Sequence, residues 1–493
     1  MHKIITDNSF DHWLNEEVGD TKFSDKRLVS RFKILLGQLW KHLGQPIPLA
    51  CQDWANTKAA YRFLSNDKIT IDKILQGHFS STKQRVKSTC NSYILVIQDT
   101  TEFSYNRKEA GEVGWTKLFN SNRDLYKKCG MLMHSSLVVT PEGLPLGLCA
   151  IKFWNRKNFK GTNKLKKIIN PMRVSIETKE SIKWLENLTS SISLLEENER
   201  CVHIGDRESD IYELFCLSEE LNTNFLIRSC QNRLIDDEHR KIEAKMNATP
   251  IVGEHVIKLE NYKNRKDGTV FLDIKFQRVQ LIVPIDKKKR FRDVSVTIID
   301  AIEKNCSEEQ EPIFWRLITN LEISTIGEAI EKVEWYNNRW KIEIFHKILK
   351  SGFKSESVRL RTSGSLMKII SIFCILAWRV FWMTMINRIS PNGSPKLILT
   401  EDEINFVDAI DHKVNLKCKK VISEYVHKIA KLGGYLARLH DPPPGNMVIW
   451  RGMRKLNDML YGYKLGKKEV ENINISNNKN AYENELNIFV GNC

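Results

Sequence analysis

The chain lacks the features that would place it outside the cell or in a membrane. Its eleven cysteines, scattered from Cys51 to Cys493, form no CxxC pair. Neither a zinc knuckle nor a disulfide framework is encoded, and the pattern fits a reducing, intracellular compartment. The N-terminus, MHKIITDNSFDHWLNEE, has no apolar h-region of the kind a secretory signal needs. Spanning a bilayer takes about 20 apolar residues. The most apolar stretch, Ile369 to Trp378, is closed by Lys368 and Arg379 and reads as a buried core helix. No internal repeat is visible, so a solenoid or propeller is not expected. A soluble, cytoplasmic protein is the expectation.

What is present points to several folded domains. A chain of 493 residues is too long for one hydrophobic core. Apolar content of 42% and charged content of 28% match an ordinary soluble protein. The charge balance is less ordinary: 76 Lys and Arg against 60 Asp and Glu give a net charge of +16. Such a surplus suits a polyanionic partner, although charge alone fits a merely basic protein equally well.

Hydrophobic spacing divides the chain by element type. In residues 24–44, Leu28, Phe32, Leu35, Leu36, Leu39 and Leu43 recur at helical intervals, with Ser24 able to cap the start and Gly44 to end it. Lys26, Arg27, Arg31 and Lys33 make the outer side basic. Further helices are predicted over NTKAAYRFLSN and TIDKILQGHF. A helical head of roughly 80 residues suits DNA binding, and a solvated basic face would look the same. The period then changes. YILVIQD is a short buried strand ending at Asp99, HSSLVVTPEGLPLGLCAI a hairpin turning at Pro141-Glu142-Gly143, and CVHIGD a strand ending at Asp206. Helices are predicted over KESIKWLENLTSSISLLEEN and DIYELFCLSEEL, which implies an α/β fold with helices on the faces of a mixed sheet. Residues 225–319 read as largely β, with basic loops KNRKDG and DKKKRFRD, and a long helix follows from near Ser324. The rest is helical, ending in an Asn-rich tail, ENINISNNKNAYENELN, expected to be poorly ordered.

Two aspartates that close buried strands are well placed to aim charge into a cleft, because rigid backbone holds them. Singly, each reads more readily as a turn or cap residue, and Glu208 and Asp210 could start the next helix. The helix after Trp335 supplies a third acid. At about 100° per residue, Tyr336, Arg339, Glu343 and Lys350 fall within roughly 60° of one another. Ile342, Phe345, Ile348 and Leu349 take another side and can bury. An ordinary surface Arg339–Glu343 ion pair would also fit. Three carboxylates, however, are the hard oxygen ligands that two Mg²⁺ ions need for phosphodiester cleavage, with Tyr336, Arg339 and Lys350 holding phosphates.

At these motifs the chain resembles the insertion-sequence-four group of bacterial DDE transposases. Their signature of Tyr, two residues, Arg, three residues, Glu, six residues, Lys stands complete as Tyr336, Arg339, Glu343 and Lys350. The group's Asp-Thr-Thr is matched by Asp99, Thr100 and Thr101, and its Asp-Arg-Glu-x-Asp-Ile by DRESDI from Asp206. SDKRLVSR, AAYRFLSN and IAKLGGYL followed by Trp450 extend the likeness over nearly the whole chain. The resemblance implies an α/β, RNase H-like catalytic core with a β-stranded insertion, over residues 81–375, with Asp99, Asp206 and Glu343 as catalytic metal ligands. It implies a helical end-binding domain over 1–80, with Arg27 and Arg31 on DNA, and a helical dimerisation domain over 376–493. Several members cut the second strand through a hairpin, stacking a flipped base on a tryptophan, and Trp315 stands at that tryptophan's spacing from Glu343. A buried core tryptophan is the other reading of Trp315.

The implied protein is a homodimeric cut-and-paste transposase, cytoplasmic and nucleoid-associated when bound to DNA. It would bind double-stranded terminal repeats, cut them with two Mg²⁺ ions (Mn²⁺ substituting) and join the 3′ ends to target DNA. A binding-only relative, or an RNase H-like nuclease without strand transfer, are the alternatives.

Overall fold

The computed structural model describes residues 11–107, 112–121, 124–156, 175–259, 268–304, 312–410 and 420–490. In chain order, helices α1 (Asp11–Val18), α2 (Lys26–Lys41), α3 (Ile47–Cys51), α4 (Trp54–Ser65) and α5 (Ile71–Lys87) come first. Strands β1 (Ile94–Ser104), β2 (Trp115–Ser121), β3 (Asp124–Val139) and β4 (Pro145–Trp154) follow. Next are α6 (Ile182–Leu195), β5 (Cys201–Gly205), α7 (Tyr212–Glu220), β6 (Asn224–Arg228) and α8 (Ile242–Ala248). Then come β7 (Gly253–Leu259), β8 (Gly268–Leu281), β9 (Val294–Glu303) and β10 (Phe314–Thr319). Helices α9 (Ile326–Asn337), α10 (Trp340–Lys347), α11 (Ser363–Ile389), α12 (Glu401–Ile410), α13 (Ile422–Leu432) and α14 (Asn446–Val490) complete the order.

The chain forms two compact units that cut across a simple head–core–tail division. One comprises residues 1–15, 25–63 and 379–493, the other 16–24 and 64–378. In the first, Asp25, not Ser24, caps α2 by accepting from Arg27 N. Of the stripe that the helical spacing predicts, Phe32, Leu35, Leu36, Leu39 and Leu43 are buried and Leu28 is half-buried, and Trp40 joins them. Burying each such side chain stabilises by roughly 1.5–3 kcal/mol. The Arg379 guanidinium sits over the rings of Trp13 and Trp40, 4.4 and 5.0 Å from their centroids, and Asn457 donates to Trp40 O at 2.9 Å. A Cβ at Gly452 would strike Ile429 O, so the close approach of α13 and α14 depends on that glycine. The Asn-rich tail departs from expectation: α14 continues through it to Val490. No proline interrupts Asn446–Val490.

The second unit is built on one sheet. Its strands run β2-β3-β1-β5-β6-β10-β9-β8-β7, with β4 on the other side of β3. β1, β5 and β6 are parallel neighbours. The β-rich insertion is not a separate sheet. It joins the same one, because β10 pairs antiparallel with β6. Side chains alternate along β1, so Ile94 and Val96 enter a core with Trp184, Leu188 and Ile192 of α6 and Phe215 of α7. Leu95, Ile97 and Asp99 therefore face the opposite side, where α10 packs on β1. The β3–β4 hairpin turns at Gly143, whose φ of +91° suits a residue without Cβ. Helix α5, expected in the helical head, packs on β4 in this unit.

Two expectations change here. β1 does not end at Asp99 but runs to Ser104, because β3 pairs with it throughout. The long helix is also two helices: α9 ends at Asn337 and α10 begins at Trp340. Asn338 lies at the break and donates to Pro141 O at 2.8 Å. Thr325 and Glu328 form a capping box at the start of α9. The apolar side of α10 is as expected, with Ile342, Phe345, Ile348 and Leu349 all buried. Helix α11 is long and apolar enough to cross a membrane, but its most apolar window is 94% buried, as in a core helix. The loop KNRKDG lies outside the described residues except for Gly268.

Candidate active site

Strand register brings the two aspartates together. The last parallel pair between β1 and β5 is Ile97↔Ile204. Asp99 and Asp206 each lie two residues further on, where β5 has ended and β1 continues alone beside β3. Side chains two residues apart share a face, so both carboxylates project to the same side of this fork. Asp206 also caps the turn that follows, accepting from Glu208 N at 2.9 Å. The cap reading and the site reading of Asp206 are thus compatible.

Helix α10 covers that face and brings Glu343. Arg339 Nη1 lies 2.8 Å from Glu343 Oε1, the i,i+4 pair that helical spacing allows. His346, one turn beyond Glu343, places Nδ1 3.7 Å from Asp99 Oδ2 and Nε2 2.9 Å from Ser135 Oγ.

The electrostatics are those of acids short of counter-charge. Burial, with the added charges of Asp206 and Glu343, pushes Asp99 up to about 7, against the opposing pull of Thr100 N and Arg339. Burial and the Glu208 charge likewise raise Asp206, opposed by Arg339 and Lys183. Burial pushes His346 down to about 3, with the Lys350 charge in the same direction, so its ring is neutral. Hard carboxylate oxygens left in this state fit a divalent cation, whose charge would relieve both burial and repulsion. Among the described residues, the trio with ligand atoms within 4.8 Å of one another is Asp237, Glu238 and His239. Lys245 already pairs with Asp237 there at 2.9 Å. Asp99, Asp206 and Glu343 do not form such a trio in this structure.

The other expected site residues divide. Tyr336 is buried at the edge of the site, its phenol pushed up by burial against the opposing charges of Arg339 and Arg228. Lys350 is half-buried, 5.7 Å from the Phe103 ring centroid, and burial pushes its ammonium down against the pull of Glu356 and Glu102. A wide π-helical turn over Ile348–Gly352 carries it, so Lys350 leaves the row that an ideal helix would give. Trp315 is buried, in line with the core-tryptophan reading. It is 2% exposed, with its ring edge-on to Tyr336 at 5.4 Å. Buried positions on both sides of β10 explain this. Arg31 is also engaged, its guanidinium donating to Asn56 Oδ1 at 2.7 Å and Asn56 O at 2.8 Å. Arg27 remains exposed, in contact with Asp25.

Sequence reasoning missed several neighbours. Arg228 closes β6 beside the end of β5, and donates to Phe314 O at 2.9 Å. The rule that singled out Asp206, a charged residue ending a buried strand, would have found it. Lys183 of α6 reaches Glu208 at 3.0 Å. Asp210, with its side chain fully buried, accepts from Cys230 N, Gln231 N and Arg233, and so fixes the loop after β6.

Residues 11–69 match the family model for transposase DNA-binding domains. Residues 194–378, which include Asp206 and Glu343, match that for transposase DDE domains. The chain therefore carries a transposase DNA-binding domain and a transposase DDE domain, which support a DNA-binding transposase with metal-dependent DNA cleavage.

Proposed function

We propose that the chain is a cut-and-paste transposase of the insertion-sequence-four type. It binds terminal inverted repeats, cleaves the ends, and joins the freed 3′ ends to target DNA, acting as a homodimer. Residues 1–80 carry end recognition, 81–375 an RNase H-like core, and 376–493 dimerisation. The strand order β4-β3-β1-β5-β6, with helices on its faces, supports the core assignment. The observation that carries the catalytic reading is the register that leaves Asp99 and Asp206 side by side beneath the helix bearing Glu343.

In this reading Asp99, Asp206 and Glu343 hold two divalent ions, Mg²⁺ or Mn²⁺. Such ions, when bound, activate the attacking oxygen and stabilise the leaving one. The protein's own groups do the rest. Arg339 neutralises Glu343 until the site is loaded, and then becomes a charge-assisted donor to a phosphate. Arg228 adds a positive charge beside the Tyr336 phenol at the site's edge. Lys350 adds a cation near Asp99, and Lys183 steadies the turn after Asp206 through Glu208. Arg27 makes a backbone contact in the head. Trp315, packed on Tyr336, would have to be uncovered to stack a flipped base in a hairpin step.

The test is to incubate labelled DNA from the flanks of the gene with the protein and Mg²⁺ or Mn²⁺. Metal-dependent nicking at the repeat boundary, lost in a Glu343→Ala variant that still binds, is expected. Binding without cleavage by the unaltered protein would remove the enzyme reading.

A further inference from the structure

We propose that His346 is a positioning residue for Asp99, steadying its carboxylate for metal through an Nδ1–H tautomer that the carboxylate selects and Ser135 holds. The inference deepens the catalytic reading above and rests on Asp99 being a metal ligand.

Three observations converge. Asp99 and Ser135 stand directly opposite each other across β1 and β3, so both side chains rise from one face of the sheet. His346 descends onto that face from α10, one turn after Glu343, and is 5% exposed. Its two ring nitrogens are divided between the strand residues: Nε2 lies 2.9 Å from Ser135 Oγ and Nδ1 3.7 Å from Asp99 Oδ2. One imidazole thus joins β1, β3 and the helix that carries the third acid.

The chemistry selects one arrangement. In a neutral imidazole one nitrogen donates and the other accepts. With the proton on Nε2, the Nδ1 lone pair would face the lone pairs of the Asp99 carboxylate, which repels. With the proton on Nδ1, the ring donates toward Asp99, and the Ser135 hydroxyl donates to Nε2. A serine hydroxyl serves either way, so the carboxylate decides, and Ser135 then locks the choice. The Nδ1–Asp99 separation of 3.7 Å is too long for a hydrogen bond, and the proposal requires the two groups to draw together when the site is loaded. Catalytic contacts are commonly long before the site is loaded. Groups that orient a ligating carboxylate typically change metal affinity by about 10–100-fold when removed.

The experiment follows Mn²⁺ binding to the full-length protein by the loss of free-ion electron paramagnetic resonance signal. His346→Leu removes the donor, whereas His346→Asn keeps an N–H near the place of Nδ1. The expected result is affinity at least about tenfold weaker in the Leu variant, recovered for the most part in the Asn variant. In parallel, ¹⁵N-histidine spectra of the unaltered protein loaded with Mg²⁺, where Asp99 is a carboxylate, should show Nδ1 protonated and Nε2 bare, with the Asn variant identifying the resonance. This second readout stands even where the Leu variant fails to fold. Equal loss in the Leu and Asn variants would make the role one of packing alone, and unchanged affinity in both, or an Nε2–H tautomer, would overturn the proposal. Each of these differs from failure of the underlying reading, in which the unaltered protein binds no Mn²⁺ or Asp99→Asn binds it undiminished.

Discussion

Arg339 Nη1 stands 2.8 Å from Glu343 Oε1, so the third acid of the site already has a cation at hand before any metal arrives. Glu343 is 38% exposed, and partly exposed helical pairs of this kind are worth only about 0.3–0.5 kcal/mol. The pair is weak enough for a divalent ion to displace.

Replacing Arg339 by Ala is therefore expected to tighten Mn²⁺ binding in the absence of DNA by about twofold, the equivalent of that weak pair. The same change should slow cleavage by about 10–100-fold, through loss of a charge-assisted phosphate contact worth roughly 1.5–3 kcal/mol. Ion titration and single-turnover nicking on one preparation check both directions. A fall in both would mean that Arg339 supports the metal site instead of competing with it.

Asp99 gives a pH-dependent prediction. Its folded value of about 7 lies above the ordinary 3.8, so the metal-free fold prefers the protonated acid. The contribution to stability is fully present below pH 3.8 and is lost as pH rises through about 7. Asp99→Asn, a permanently neutral mimic, should stabilise the metal-free protein at pH 8 by roughly 2–4 kcal/mol, at 1.36 kcal/mol per pKa unit. The gain should shrink toward pH 5, and melts in the presence of a chelator will show it. A site shaped for a cation is expected to carry this cost without one.

Glu17 lies at the opposite extreme. Burial alone would raise it, but His78 and Arg85 outweigh burial and hold the carboxyl below its ordinary range. Leu148 N donates to His78 Nε2, so Nδ1 carries the proton that meets Glu17. Arg85 supplies the balancing charge and lies over Trp378, 4.1 Å from the ring centroid. Removing one member of a buried charged pair costs about 3–5 kcal/mol, and Glu17→Ala should lower urea stability by that order at pH 7. Because the folded value is depressed, this stability is present above pH 4.5 and lost as pH falls through the folded value. The variant and the unaltered protein should therefore converge in acid.

The two head arginines should separate. Arg31→Ala breaks two hydrogen bonds to Asn56 and should destabilise the fold, whereas Arg27→Ala should leave melting unchanged. On end DNA, Arg27→Ala should reduce the slope of log affinity against log salt by about one, the signature of a lost phosphate contact. An unchanged slope would remove Arg27 from the interface.

Much of this was legible in the chain because periodicity reports burial directly. The stripe Phe32–Leu39, the apolar side of α10 and the core helix around Ile369–Trp378 follow from spacing alone. The acids Asp99 and Asp206 were visible because each follows a run of buried β-branched residues. What spacing does not encode is pairing. β1 runs past Asp99 because β3 continues beside it, and nothing local to YILVIQD says so. The break at Asn338 depends on Pro141, nearly two hundred positions away. The burial of Trp315 depends on what covers each side of β10, and the role of His346 on Ser135 and Asp99, both distant in sequence.

The most direct test of the metal site uses Fe²⁺ as a stand-in ion. With ascorbate and peroxide, iron bound to the full-length protein cuts the polypeptide backbone close to its own ligands, and mass spectrometry locates the cuts. The account predicts breaks clustered near Asp99, Asp206 and Glu343, suppressed by excess Mg²⁺ and absent in Asp99→Asn. Breaks confined to the Asp237–His239 loop, or a pattern indifferent to Mg²⁺, would contradict it.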